Sequence, residues 1–272
     1  MRVLENLEPN KVFYYFEEIS KIPRPSYHEE AISNYLIQFA EAHHLEYIQD
    51  DLFNVIIFKD ATPGYEDMDP IILQGHMDMV CEKRADVKKD MFTEGLDLEV
   101  RDGYVWAKGT TLGGDDGIAV AYALALLDSD TIQHPKLEFV CTIGEEVGMD
   151  GAHFIDLSCL EGHTLINLDS DDEGVVLAGC SGGGKAHVSL PVVRQACDWP
   201  MVKVSITGLL GGHSGAEIHK GRASSQELMG RILRCGYYTT PLRIVSCENG
   251  SKDNAISREG HLLVAVEKAR SL

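Results

Sequence analysis

Residues 70–80 read PIILQGHMDMV, an apolar run of strand length that ends in a glycine, a histidine at 76 and an aspartate at 78. Two later stretches repeat the arrangement: FVCTIG at 139–144 leads into Glu145 and Glu146, and TLINL at 164–168 leads into Asp169. Short, largely apolar runs over 54–58, 70–74, 136–143 and 164–168 predict strands, as in a sheet covered on both faces. Working outward, Gly113–Leu127 reads as a Gly/Ala-rich helix able to lie close on a sheet. Lys11–Ile22 and Tyr27–Leu45 read as amphipathic helices separated by Pro23 and Pro25. Leu96–Ala107 predicts a β-hairpin with Arg101, Asp102 and Gly103 at its turn. Strands and helices in alternation make an α/β fold with a largely parallel sheet.

The pattern changes after residue 174. Gly174–Gly184 is a glycine-rich connector, and beyond it the order becomes strand, strand, helix, strand, strand over Lys185–Val193, Val202–Gly208, Ser224–Leu233, Leu242–Cys247 and His261–Val266. We therefore expect two domains, 1–184 and 185–272, the second a smaller α+β unit.

Composition narrows the function. The chain of 272 residues carries 24 basic and 43 acidic side chains, a formal charge of -19. Such a surface repels phosphate backbones, so no nucleic-acid partner is expected. The longest apolar stretch, Ile118–Leu127, is about half of a bilayer crossing, so no membrane association is expected. Residues 1–10 contain Glu5 and Glu8 and lack the apolar region of a secretory signal. The seven cysteines are scattered without a CxxC pair, as suits reduced thiols. Together these features predict a cytoplasmic protein.

The ends of the apolar runs carry the chemistry. In an open parallel sheet ligands bind beyond the carboxyl ends of the strands, so His76, Asp78, Glu145, Glu146 and Asp169 should converge on one crevice. Asp115, in GGDDG at the start of the Gly/Ala-rich helix, joins them. Two carboxylates ~4 Å apart repel by roughly 4 kcal/mol at an effective dielectric near 20, and no Lys or Arg accompanies the strand ends. A divalent cation resolves the repulsion. Imidazole with carboxylates and no thiolate suits Zn, Mn or Co, and the number of candidate ligands exceeds one open site, which favours two ions. Asp78 is placed to orient His76. Of the adjacent Glu145 and Glu146, one would ligate while the other serves as general base.

Three other motifs lead nowhere. Gly179–Lys185 has phosphate-loop spacing, but Ala186 replaces the required Ser/Thr. Asp169–Gly174 opens like a calcium loop whose later ligand positions are wrong, and Ser214 in GGHSG lacks the second glycine of a nucleophile elbow.

GHMDMV (75–80), GTTLGGDDGIAVA (109–121), TIGEEVGMDGA (142–152), LINLDSDDEG (165–174) and GLLGGHSGAEIHKGR (208–222), in this order, resemble the aminoacyl-histidine dipeptidase or cytosolic non-specific dipeptidase branch of the M20 metallopeptidases across essentially the whole chain. The resemblance implies hydrolysis of dipeptides, Xaa-His among them, with two divalent ions. Position by position it makes His76 and Asp169 ligands of one metal, Glu146 a ligand of the second, Asp115 the bridge, Glu145 the general base and Asp78 the orienting residue. It makes 185–272 part of a lid and dimerisation domain, so that a homodimer is implied, with His213 polarising the scissile carbonyl and Asn254 near the substrate. Asp116 departs from the family's usual Asn, and members are nearly twice as long. The resemblance thus implies a C-terminally truncated member lacking one metal-binding histidine. The competing expectations are an inactive remnant that binds metal weakly, or a deacylase or tripeptidase of the same family.

Overall fold

Asn10–Ser20 forms the first helix, α1, in the computed structural model, which describes residues 2–170, 174–179, 186–215, 217–250 and 255–267. Val12, Tyr15, Phe16 and Ile19, spaced by three and four, share its buried face. The second helix, α2, spans Glu30–Ala42 and not the expected 27–45. Tyr27 holds φ at 67°, a left-handed conformation that a right-handed helix cannot contain. Ile32, Leu36, Phe39 and Ala40 line its inner face.

There follow β1 (Glu46–Gln49), β2 (Val55–Lys59), β3 (Ile71–His76), the hairpin β4 (Leu98–Arg101) and β5 (Tyr104–Ala107), helix α3 (Gly114–Leu127), β6 (Leu137–Thr142), the one-turn helices α4 (Glu145–Gly148) and α5 (Asp150–Phe154), and β7 (Thr164–Asn167). The hairpin turns on Asp102 and Gly103, both at positive φ, as a two-residue turn that matches strand twist requires. The main sheet has the order β1-β2-β6-β3-β7. Its β6, β3 and β7 run parallel, while β1 and β2 form an antiparallel margin.

The parallel register positions the site. His76 lies level with Thr142, and Gln74 with Asn167, so the loops after β3, β6 and β7 leave the same edge of the sheet. One face is covered by α1, α2 and α3, whose Phe16, Leu36 and Leu124 join Ile57 and Phe139 in the principal core. Side chains of this size contribute about 1.5–3 kcal/mol each when fully buried. Ala119, Ala121, Ala123 and Ala125 keep the α3 surface low. The opposite face has a smaller cluster of Ile56, Ile72 and Val140 under Ile155 and Leu160.

The chain divides into two compact units, Met1–Cys180 and Ser181–Leu272. In the second, β8 (Met201–Ile206), β10 (Leu242–Asn249) and β12 (Gly260–Val266) form an antiparallel sheet of order β10-β12-β8. Helix α6 (Ser225–Thr239) packs Met229 onto Leu262 and Val264, and runs past the expected stop at 233. A two-residue ladder joins β9 (Gly212–His213) to β11 (Ala255–Ile256). The strand expected over 185–193 is corrected: Lys185 lies outside the described residues, and 186–193 make no strand. Val188, Leu190 and Val193 are exposed there, because apolar alternation without a paired ladder does not make a strand. Among the described residues, no helix is long and apolar enough to cross a membrane.

Candidate metal centre

His76 ends β3 and is 1% exposed, a buried imidazole with a partner on each ring nitrogen. Nδ1 lies 3.1 Å from the Asp78 carbonyl and 3.2 Å from its Oδ1, while Nε2 lies 3.0 Å from Asp115 Oδ1. With Nδ1 engaged by Asp78, Nε2 is the nitrogen turned toward the carboxylates.

Asp78 is fully buried and joins three segments. Besides His76, its carboxylate accepts hydrogen bonds from Ser26 Oγ at 2.7 Å and from the backbone N–H groups of Glu145 and Glu146 at 3.1 and 3.3 Å. The strand stops at His76, so Asp78 lies beyond it and does not share a strand face with the ring. A turn brings it there and lets it tie β3 to the start of α4. The same one-turn helix turns the adjacent Glu145 and Glu146 away from an extended geometry.

Asp115 and Asp116 depart from helical dihedrals at the start of α3, and the peptide bond between them is cis. Asp115 meets the imidazole, whereas Asp116 Oδ2 accepts the His76 backbone N–H at 3.1 Å. Asp169 follows β7, with Oδ2 4.0 Å from His76 Nε2, and Glu145 Oε2 lies 3.8 Å from the same nitrogen.

Two overlapping groups result, His76 with Asp115 and Glu146, and His76 with Asp116 and Asp169, each with one ligand-type atom per residue within 4.8 Å of the others. Among the described residues, Asp115, Glu145 and Glu146 form no ion pair with a lysine or arginine. Burial drives the Glu146 carboxyl up to about 7, with Asp115 adding repulsion. Burial likewise lifts Asp116 to about 7 and raises Glu145. Burial would lower the His76 pKa, but the hydrogen bond and charge of Asp78, with Asp116 and Glu145, outweigh it and hold the ring up at about 9. Burial would raise Asp78, but its bonds from His76 and Ser26 keep it below the usual carboxylate range. A proton on His76 partly neutralises these acids, and divalent cations suit the same donors.

Several supporting residues had no signal in the sequence. Arg24 is fully buried between the β3 loop and the start of α3, Glu29 Oε1 accepts the Gly144 N–H at 3.0 Å, and Asn54 Oδ1 accepts that of Ile143 at 3.0 Å. Their partners are backbone groups distant in sequence. A cavity of about 290 Å³ opens beside His76, Glu145 and Asp169, with Ile72, Val140 and Leu165 on its apolar wall.

His213 belongs to the second unit, on β9. Its Nδ1 accepts the Gly215 N–H at 3.1 Å, which leaves the proton of a neutral ring on Nε2. Glu217 anchors the loop, accepting the His213 N–H at 3.1 Å and pairing with Arg222 at 2.9 Å and Lys220 at 2.6 Å. Asn254 lies outside the described residues.

Residues 72–224 match the family described as Peptidase family M20/M25/M40. The chain is 37% identical to the cytosol non-specific dipeptidase of Escherichia coli over 98% of its own length and 55% of that protein's. It superposes on the crystal structure of aminoacylhistidine dipeptidase from Vibrio alginolyticus with a TM-score of 0.70 at 37% identity, covering 97% of this chain and 54% of that one. The aminopeptidase PepT of Bacillus cereus shares the fold, with a TM-score of 0.51 at 20% identity over 96% of this chain and 66% of that one. The chain therefore spans about half the length of the dipeptidases it matches. On the matched residues and the identity along nearly its whole length, the chain belongs to peptidase family M20/M25/M40.

Proposed function

We propose that this chain carries the metal-binding half of a dipeptidase that hydrolyses dipeptides, Xaa-His among them, at a centre of two divalent ions. The observation that carries the reading is the convergence of His76, Asp115, Glu146, Asp116 and Asp169 from separate segments onto one sheet edge. Supporting it are the E. coli and Vibrio relatives, named as dipeptidases and 37% identical over nearly the whole of this chain. In this reading His76 and Asp169 would hold one ion and Glu146 the other, with Asp115 as the shared carboxylate. Zn fits the donors best, with Mn or Co as alternatives. When bound, the ions acidify a water and polarise the scissile carbonyl.

The chain's own groups do the rest. Glu145, its carboxyl raised by burial, is suited to take the water's proton and hold it at a carboxylate oxygen. It then returns that proton to the leaving amine. Asp78 fixes the His76 ring from behind through Nδ1. His213 carries an Nε2–H that can donate to the carbonyl oxygen as negative charge develops there. The cavity beside His76 has room for an apolar substrate side chain. Residues 185–272 act as the lid and dimerisation portion, and the site of action is the cytoplasm.

A panel of dipeptides incubated with the purified chain and Zn, Mn or Co tests this. We expect turnover that EDTA abolishes, and a Glu145→Gln variant that keeps its metal but loses at least a thousandfold in kcat. Metal-loaded, folded protein that hydrolyses only N-acyl amino acids or tripeptides would overturn the dipeptidase reading.

A further inference from the structure

The donors at His76, Asp115 and Glu146 sit at the end of β3 and the starts of α3 and α4, and one short stretch between α1 and α2 touches the chain beside all three. Arg24, 1% exposed, donates from Nη1 to the carbonyls of Met77 at 2.9 Å and Asp78 at 3.2 Å, and from Nη2 to that of Gly113 at 2.6 Å. Two residues on, Ser26 Oγ donates to the Asp78 carboxylate, and Glu29 takes the Gly144 N–H just before Glu145. Met79 N donates back to the Arg24 carbonyl at 3.1 Å, and Pro25 bridges Met79 in parallel.

The pocket is shaped for a guanidinium. A Cβ added at Gly113 or Gly117 would lie 2.5 Å from Nη2, so the helix start is bare where the fork enters. Among the described residues Arg24 Nε has no hydrogen-bond partner, and full burial of the charge opposes its ionised form. Folding alone would favour an apolar side chain here. These three hydrogen bonds all end on main-chain carbonyls next to the donors, not on a carboxylate of the site.

We propose that Arg24 is a positioning residue for the metal centre: its fork sets the distance between the His76–Asp78 loop and the Asp115 loop, so that Nε2 and the Asp115 carboxylate are pre-arranged for a cation. This rests on the metal reading above. A lysine keeps the charge but presents a single point in place of the planar fork.

The test is Zn affinity, measured by competition with a chromophoric chelator for the chain and for Arg24→Lys, Arg24→Met, Ser26→Ala and Leu36→Ala. Near-ultraviolet circular dichroism establishes that each variant is folded. We expect a loss of about tenfold for Arg24→Lys and about a hundredfold for Arg24→Met, in the range seen when a supporting partner is removed. Ser26→Ala, which frees the Asp78 carboxylate on one side, loses severalfold. Leu36→Ala lowers the melting temperature by removing core volume on α2, at a side chain with no hydrogen bond to the site, with affinity within about twofold. In the dipeptidase assay, Arg24→Lys lowers kcat with KM unchanged. Folded Arg24→Lys with the parent's affinity overturns the inference, as does a loss in Leu36→Ala equal to that in Arg24→Lys. A parent chain that binds no Zn overturns the metal reading instead. Where Arg24→Met does not fold, the lysine and Ser26 variants decide.

Discussion

Zinc binding to the metal-free chain should be steeply dependent on pH, because the ligands must first lose protons the fold makes them keep. His76 is held at about 9 by Asp78 and its acidic neighbours, and Glu146 at about 7 by burial. At pH 7 the ring is almost wholly protonated and the carboxyl half so, and ligation releases about 1.5 protons from the pair. Release rises to roughly 1.9 at pH 6 and falls to about 0.8 at pH 8.5. Proton competition then weakens apparent affinity about a thousandfold at pH 6 relative to pH 8, equal to about 4 kcal/mol. The same residues at their ordinary values would change it only about fourfold over that interval. The two groups share one field, so the steps belong to the cluster and not to either residue. Calorimetry in two buffers of different ionisation enthalpy reads the protons, and chelator competition at pH 6, 7 and 8 reads the affinity. A change below about tenfold from pH 6 to 8, or release under half a proton at pH 7, would refute the argument that the acids hold a proton on His76 in place of the metal.

Gly75→Ala should cost about 1–3 kcal/mol in denaturant unfolding, since its Cβ would lie 2.7 Å from Asp116 Oδ2 and 2.8 Å from Ala119 Cβ. An unchanged midpoint would mean that α3 yields freely. Phe139→Ala, at a fully buried position of β6, should cost about 3–5 kcal/mol in the same measurement, and a loss below 1 kcal/mol would contradict the assigned core. The Glu217 carboxyl is lowered to about 2 from 4.5, chiefly by its hydrogen bond from Lys220, so its support of the His213 loop is complete above pH 4.5 and lost as pH falls toward 2. Imidazole resonances of His213, followed by NMR, should shift in that window, and constancy down to pH 2 would dissociate the loop from Glu217.

How much of this was legible follows from what each signal depends on. The strands at 71–76 and 137–142 were evident from local composition, because a strand buried on both faces is largely apolar along its length; 164–167 was found from its apolar run, although all four of its residues are exposed. Placing acids and a histidine just beyond them needed only the rule that open parallel sheets bind ligands at that edge. The hairpin at 98–107 was equally local, resting on Asp102 and Gly103. The region 186–193 was misread since alternation records a preference for strand, whereas pairing depends on a neighbour that no local pattern specifies.

By itself, then, the sequence determined the element order, the site-bearing edge and the chemical type of the donors, all properties of contiguous residues. Tertiary structure alone decided how those donors are held. It turned Asp78 back onto His76 and under α4, split Asp115 and Asp116 between the imidazole and the backbone, and drove a buried arginine between two loops. Those relations join side chains to main-chain groups dozens of residues away. A backbone carbonyl is the same in every residue, so nothing in the sequence marks which one an arginine will find.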